Sequence, residues 1–192
     1  MADLPTASAD LAQNAILANG TTYYCSLCPV DPGSSTTPTE ITGITRQAFT
    51  VAASSGGSQA SNNAQAFTTF PTLQATNLSA AITTTAATSI SVISATGFPS
   101  AGNFIIQIGA EFLLVTAGQG TTTWTVTRGY ASTIAATAVS GATTTLAIGW
   151  FLINTAVTSG TYRRGGVLTT PIVPPSGSTV NIASAGVTFT LS

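Results

Sequence analysis

FIIQIGAEFLLVTAGQGTTTWTVT, residues Phe104 to Thr127, is the stretch whose reading decides the fold. Phe104, Ile106 and Ile108 alternate with Ile105, Gln107 and Gly109, the period of two that belongs to a strand. Glu111 to Val115 continues the pattern into Ala117-Gly118-Gln119-Gly120, and Thr121 to Thr127 returns from that turn. The stretch therefore reads as hairpins of a small β-barrel or sandwich. Gly118 and Gly120 serve the turn, because they lack the strand-to-helix context of a phosphate-binding loop. Trp124 sits mid-strand between threonines and reads as core rather than as an exposed sugar platform.

Outward from this stretch the composition agrees. The 192 residues are rich in Thr, Ser, Ala, Gly and Val, with β-branched runs separated by Gly, Pro, Asn and Ser, and 44% are hydrophobic, enough to bury a core. Only 5% are charged: Asp3, Asp10, Asp31, Glu40, Glu111, Arg46, Arg128, Arg163 and Arg164. Four arginines against five carboxylates form no basic stripe, so nucleic acid is not an expected partner. With neither histidine nor lysine, a hydroxyl nucleophile lacks its usual base, a Schiff base cannot form and a phosphate loop has no cation. The carboxylates are too scattered for a glycosidase pair. No enzymatic activity, catalytic residue or cofactor is expected.

The mean hydropathy of +0.41 comes from short runs, Phe104 to Val115 and Leu146 to Ile153, well below the roughly 20 residues of a spanning helix, so no membrane partner is expected. Asp3 stands where a secretory signal carries Lys or Arg, and synthesis in a cytoplasm without export is expected.

One helix is legible, Ser8 to Ala18, with Thr6 or Ser8 as cap and Asn19-Gly20 as stop. Leu4, Leu11, Ala15 and Ala18 fall along one side and are expected to pack on a sheet or on a neighbouring subunit. Strands are expected over Thr22–Leu27, Gln47–Ala52 and Gln65–Phe70, with turns at Asp31-Pro32-Gly33 and Ser54 to Ser58. Cys25 and Cys28 are the only cysteines. In an extended strand Cys25 shares a face with Tyr23 and Leu27, and Cys28 takes the other face, so they read as two reduced structural thiols and not as a metal or redox pair.

Residues Ser26-Leu27, Asp31-Pro32-Gly33, Glu40 with Gly43, Thr45-Arg46-Gln47-Ala48 and Ala52 through Ser58 resemble, in that order after an N-terminal helix, a family of small bacteriophage virion proteins. The close from Ile148 to Ser192 resembles the same family. That family usually has histidine after Ser-Leu, where this chain has Cys28, so no role is carried to that position. A second resemblance covers Leu78 to Thr145 and is to a β-rich module that recurs inside phage structural proteins. It is carried by Gly97-Phe98-Pro99, Gly102-Asn103-Phe104, Glu111, Trp124-Thr125-Val126, Arg128-Gly129 and Ser140-Gly141-Ala142.

The resemblances imply an all-β chain: a jelly-roll-like β-sandwich of residues 1–74 plus 146–192, with one short N-terminal helix and an inserted small β-barrel or sandwich module at 75–145. They imply a non-enzymatic virion structural protein, a head decoration protein on the major capsid protein lattice, with homotrimers as the expected assembly. Candidate partner contacts are Leu11 and Ile16 of the helix, and Arg163 and Arg164 in TYRRGG, read as a Gly-flanked loop. The alternative is a tail-fibre module that recognises a host surface glycan through Tyr23, Tyr24, Trp150 and Tyr162-Arg163-Arg164.

Overall fold

The computed structural model describes residues 6–33, 38–183 and 188–190. Along them α1 (Thr6–Ile16) is followed by β1 (Thr22–Cys28), β2 (Gln47–Thr50), β3 (Ser58–Ala60), β4 (Gln65–Phe67), β5 (Ala75–Asn77) and β6 (Ser89–Ser91). Then come β7 (Phe104–Ile108), β8 (Glu111–Ala117), β9 (Thr123–Tyr130), β10 (Thr143–Asn154), β11 (Tyr162–Ile172), β12 (Val180–Ile182) and β13 (Thr188–Thr190). The protein is all-β with one short N-terminal helix. The main sheet runs β2-β1-β10-β7-β8-β9-β6, with β11 and β5 also pairing β10, while β12-β4 and β13-β3 form separate two-stranded sheets. Among the described residues no sheet closes into a barrel or jelly roll.

The quoted stretch is β7, β8 and most of β9. Ile108 pairs with Glu111 across Gly109, whose φ of 58° suits the tight turn. At the next turn Gly118 has φ 81°, and an added Cβ there would collide with the Thr123 carbonyl. Phe104, Trp124 and Phe98 meet in one aromatic cluster, Phe104 edge-on to Trp124 at 5.4 Å. Trp124 is fully buried and donates its indole N–H to the Thr121 carbonyl at 2.8 Å, as expected of a core residue.

β10 organises the molecule. Along one edge it pairs first with β7 and then with β1; along the other, first with β5 and then with β11. The boundary read at residue 145/146 thus falls inside one continuous strand. The register against β11 slips between Ile148 and Trp150, where β11 runs from Ile172 to Val167 and carries the surplus residues, and at Gly149 an added Cβ would collide with Ile105. The side-chain alternation of β10 also changes phase beside Gly149. Leu146, Ile148, Phe151 and Ile153 therefore share one face, and Ala147, Trp150 and Leu152 share the other.

Three cores result. The first lies between β1 and β10 on one side and the β4–β12 pair on the other, with Tyr23, Cys25, Leu27, Phe49, Phe67 and Phe151 buried in it. The second fills the β6–β9 end around Trp124 and Leu113. The third sits on the opposite face of the sheet, where Cys28, Ile105, Phe112, Ala147, Trp150 and Leu152 join the two ends.

The helix departs from expectation. It ends near the predicted stop, with Gly20 at φ 74°, but Leu11 is 73% exposed and Ala15 and Ala18 are exposed too. Ala9, Gln13 and Leu17 are the buried side, and Leu4 lies outside the described residues. Polar contacts turn the helix this way. Asp10 accepts from Ser54 Oγ and Gly57 N, both at 2.7 Å, and Asn14 Oδ1 accepts from Ser54 N and from Gln59 Nε2. The Ser54–Ser58 turn, with Gly56 and Gly57 both at positive φ, presents these donors to the helix.

Candidate functional site

The few charges of the chain are spent mostly inside it. Glu111 and Arg128 form a bidentate pair, 2.8 Å and 2.7 Å, with side chains only 3% and 7% exposed. The remaining Arg128 donors reach the Thr84, Ala87 and Ala136 carbonyls, and Glu111 also accepts from Gly129 N and Ala136 N. All five guanidinium N–H groups and both carboxylate oxygens are thereby satisfied. Burial pushes the Glu111 carboxyl up, but the Arg128 and backbone hydrogen bonds outweigh it and hold it below the usual carboxylate range.

Glu40 and Arg46 form a second bidentate pair, at 2.6 and 3.0 Å. Arg46 also holds the Ala156 and Ser159 carbonyls, and Asn154 links Glu40 to Ser26. Each pair ties a loop to the end of a strand. Asp10 is held below its usual range by its Ser54 hydrogen bond and then by Gly57. These groups read as staples, each holding a loop through hydrogen bonds within the chain.

Cys25 and Cys28 occupy different cores on opposite faces of the sheet, as the strand alternation predicts. Both are free and buried. Burial pushes the Cys25 thiol up to about 12 and the Cys28 thiol up to about 11. Among the described residues no three His, Cys, Asp or Glu side chains gather as metal ligands, and no helix is long and apolar enough to cross a membrane.

TYRRGG is not a loop. Tyr162 to Gly166 lie in β11, and the turn precedes them at Thr155 to Thr161. Asn154 pairs with Tyr162 and Ile153 with Arg164, so Arg163 is the extra residue of a bulge and is exposed. Arg164 is half-buried and donates to Gln13 Oε1 of α1 at 3.0 Å, 151 residues away. Burial lowers its pKa. Of the four candidate contacts, Leu11 and Arg163 are therefore surface groups. Ile16 packs against the first core, and Arg164 joins the helix to the sheet.

The aromatic candidates separate in the same manner. Tyr23 is buried and accepts from Ala18 N through its hydroxyl at 2.7 Å. Trp150 and Tyr162 instead come together in a cleft of about 360 Å³ on the sheet face opposite α1, with Asp31, Tyr130, Gly165 and Gly166. Asp31 was legible only as a turn residue, and its Oδ1 does accept from Gly33 N at 2.9 Å. Tyr130, at the end of β9, carries no sequence signal of its own; the bulged register against β8 brings it across from Phe112. Burial and then the Asp31 charge push the Tyr130 phenol up. For Tyr162 burial is again first, followed by Cys28, with Asp31 raising and Arg164 lowering its pKa. Compared with known proteins, the chain matches no family model, no curated protein and no solved structure.

Proposed function

We propose that this chain is a non-enzymatic structural protein of a bacteriophage virion, a decoration protein that attaches as a homotrimer to the major capsid protein lattice. The observation that carries this reading is the fate of the charges. Glu40, Arg46, Glu111 and Arg128 are consumed in internal pairs, leaving a surface rich in Thr, Ser and Ala side chains, with single exposed apolar groups such as Leu11 and few charges such as Asp31 and Arg163. Such a surface suits many modest, shape-matched contacts repeated by symmetry, which multivalency turns into firm attachment. The resemblance of Ser26 to Ser58, Leu78 to Thr145 and Ile148 to Ser192 to phage virion proteins supports the same reading.

On this reading the first core belongs to a jelly-roll-like sandwich, residues 1–74 plus 146–192, and the second to a small module inserted at 75–145. Its support is the two-sided packing of the first core between the main sheet and the β4–β12 pair. The contact surface is drawn from α1 and the neighbouring bulge of β11, which Arg164 and Gln13 hold together. The test compares heat release of DNA from particles with and without the protein, and its occupancy on heads when Leu11→Asp and Arg163→Ala are combined. A stabilising protein raises the release temperature, because it binds the assembled state. Equal robustness of stripped heads, with immunogold label at the tail tip, selects the fibre alternative.

A further inference from the structure

We propose that the cleft between Asp31, Tyr130, Trp150 and Tyr162 is a binding site for one neutral pyranose unit, a site independent of whether the protein sits on a head or a tail. Four observations carry it. The first is convergence: β9, β10 and β11 and the turn after β1 each send one polar or aromatic side chain to the same 360 Å³ space, at the small end for ligand pockets and sized for one ring.

The second is unspent hydrogen bonding. Among the described residues neither phenol hydroxyl nor the Trp150 indole N–H has a partner, although Trp150 is 5% exposed. The indole N–H is also not among the fully enclosed unpartnered atoms, and Trp150 lines the cleft. By contrast, Trp124 spends its N–H on Thr121. A donor that is accessible and without a protein partner is free to bond a ligand in place of water.

The third is the donor and acceptor balance. Two phenols and an indole can donate to ring and hydroxyl oxygens, while the Asp31 carboxylate keeps one oxygen free of the Gly33 N–H to accept from sugar hydroxyls. That carboxylate disfavours sialic and uronic acids. A quaternary ammonium would suit the aromatic faces, but it offers no acceptor to the three donors. The fourth is shape. At Gly165 an added Cβ would lie 2.9 Å from both Pro32 Cγ and the Tyr162 hydroxyl, so the glycine lets the tyrosine fold across bare backbone and leaves a flat floor beside it.

The test is a titration of the ¹⁵N-labelled full chain with methyl glycosides of glucose, galactose, mannose and N-acetylglucosamine, up to tens of millimolar. The two indole N–H resonances are followed. The expected result is that at least one neutral glycoside shifts the Trp150 signal saturably and leaves the Trp124 signal in place. Trp150→Phe, read instead by the backbone amides of Gly165 and Gly166, and Tyr162→Phe each weaken binding about three- to tenfold, the worth of one hydrogen bond. An unmoved Trp124 signal in each variant reports that the fold is kept. The proposal is overturned by an unmoved Trp150 signal with every neutral glycoside, by tetramethylammonium or sialic acid shifting it more strongly, or by both variants binding as tightly as the parent.

Discussion

Replacing Arg128 by Met tests whether the buried pair holds the β8–β9 end together. Methionine keeps the packing of the stem and removes all five donors, leaving Glu111 buried beside only its two backbone donors, Gly129 N and Ala136 N. Breaking a buried pair from one side costs about 3–5 kcal/mol. With a urea dependence of about 3 kcal/mol per M, the upper end for small proteins, the denaturation midpoint should fall by about 1–1.7 M. The loss should depend on pH. In the parent the Glu111 pKa lies below its unfolded value of 4.5, so its contribution is complete above that pH and disappears as pH falls through the folded value. In the variant burial is opposed only by the two backbone hydrogen bonds and raises the pKa above that of the parent, so the variant is penalised most at neutral pH and least near pH 4. Pairing Arg128→Met with Glu111→Met should be non-additive by about 1–3 kcal/mol. Urea titrations by tryptophan fluorescence at pH 7 and pH 4 measure all of this. A loss within about 1 kcal/mol that is equal at both pH values would refute the reasoning and class the pair with exposed ones.

Gly118→Ala should cost clearly more than Gly141→Ala by thermal denaturation. Both have φ near 80°, but only at Gly118 does the new Cβ also meet backbone, the Thr123 carbonyl. The native protein should show no thiol reactive with an aromatic disulfide at pH 8, and two after unfolding in urea. Since both thiol pKa values are raised from 9.0, stability should fall as pH climbs above about 9, where the unfolded chain ionises first. Excising residues 78–142 with a short Gly/Ser bridge leaves every buried residue of the first core in place but removes Ile105 and Phe112 from the third. Cooperative unfolding at a lower midpoint, with new dye binding to the exposed Trp150 face, is expected in calorimetry and fluorescence; complete loss of cooperativity would show one indivisible core. If attachment to heads uses the uncharged surface, occupancy should change less than about threefold between 0.05 and 0.5 M NaCl, and a steep salt dependence would return the contact to charge.

What the sequence revealed was what alternation alone decides. The period of two placed Phe104, Ile106 and Ile108 against Ile105, and Tyr23 and Cys25 against Cys28, and the structure separates them into the cores so implied. What it hid came from register. A bulge is one residue too many on one strand relative to another that lies far away in sequence, so nothing local announces it. The change of phase beside Gly149 keeps Phe151 and Ile153 on the face of Ile148, and the bulge at Arg163 divides two arginines that look like a pair. The helix misled for another reason. Its apolar stripe is weak, and the donors that capture Asp10 and Asn14 belong to a turn more than 40 residues downstream. The cleft was half legible, through Trp150 and Tyr162, whereas Asp31 and Tyr130 join it only through the turn after β1 and the end of β9.

The placement of charge has a further consequence for how such a chain can act. A protein with nine charged side chains could have displayed them for solubility and steering. Here the two most enclosed pairs instead close loops that short strands cannot close themselves: Glu111–Arg128 gathers residues 84–87 and 136, and Glu40–Arg46 gathers the turn at 156–159. Apart from exposed charges such as Asp31 and Arg163, the exterior is rich in hydroxyl and methyl groups, whose contacts are individually weak and insensitive to salt. Recognition through such a surface depends on matching shape over a wide area or on a recess with unspent hydrogen-bonding groups. The core that packs α1 and the cleft at Trp150 lie on opposite faces of β10.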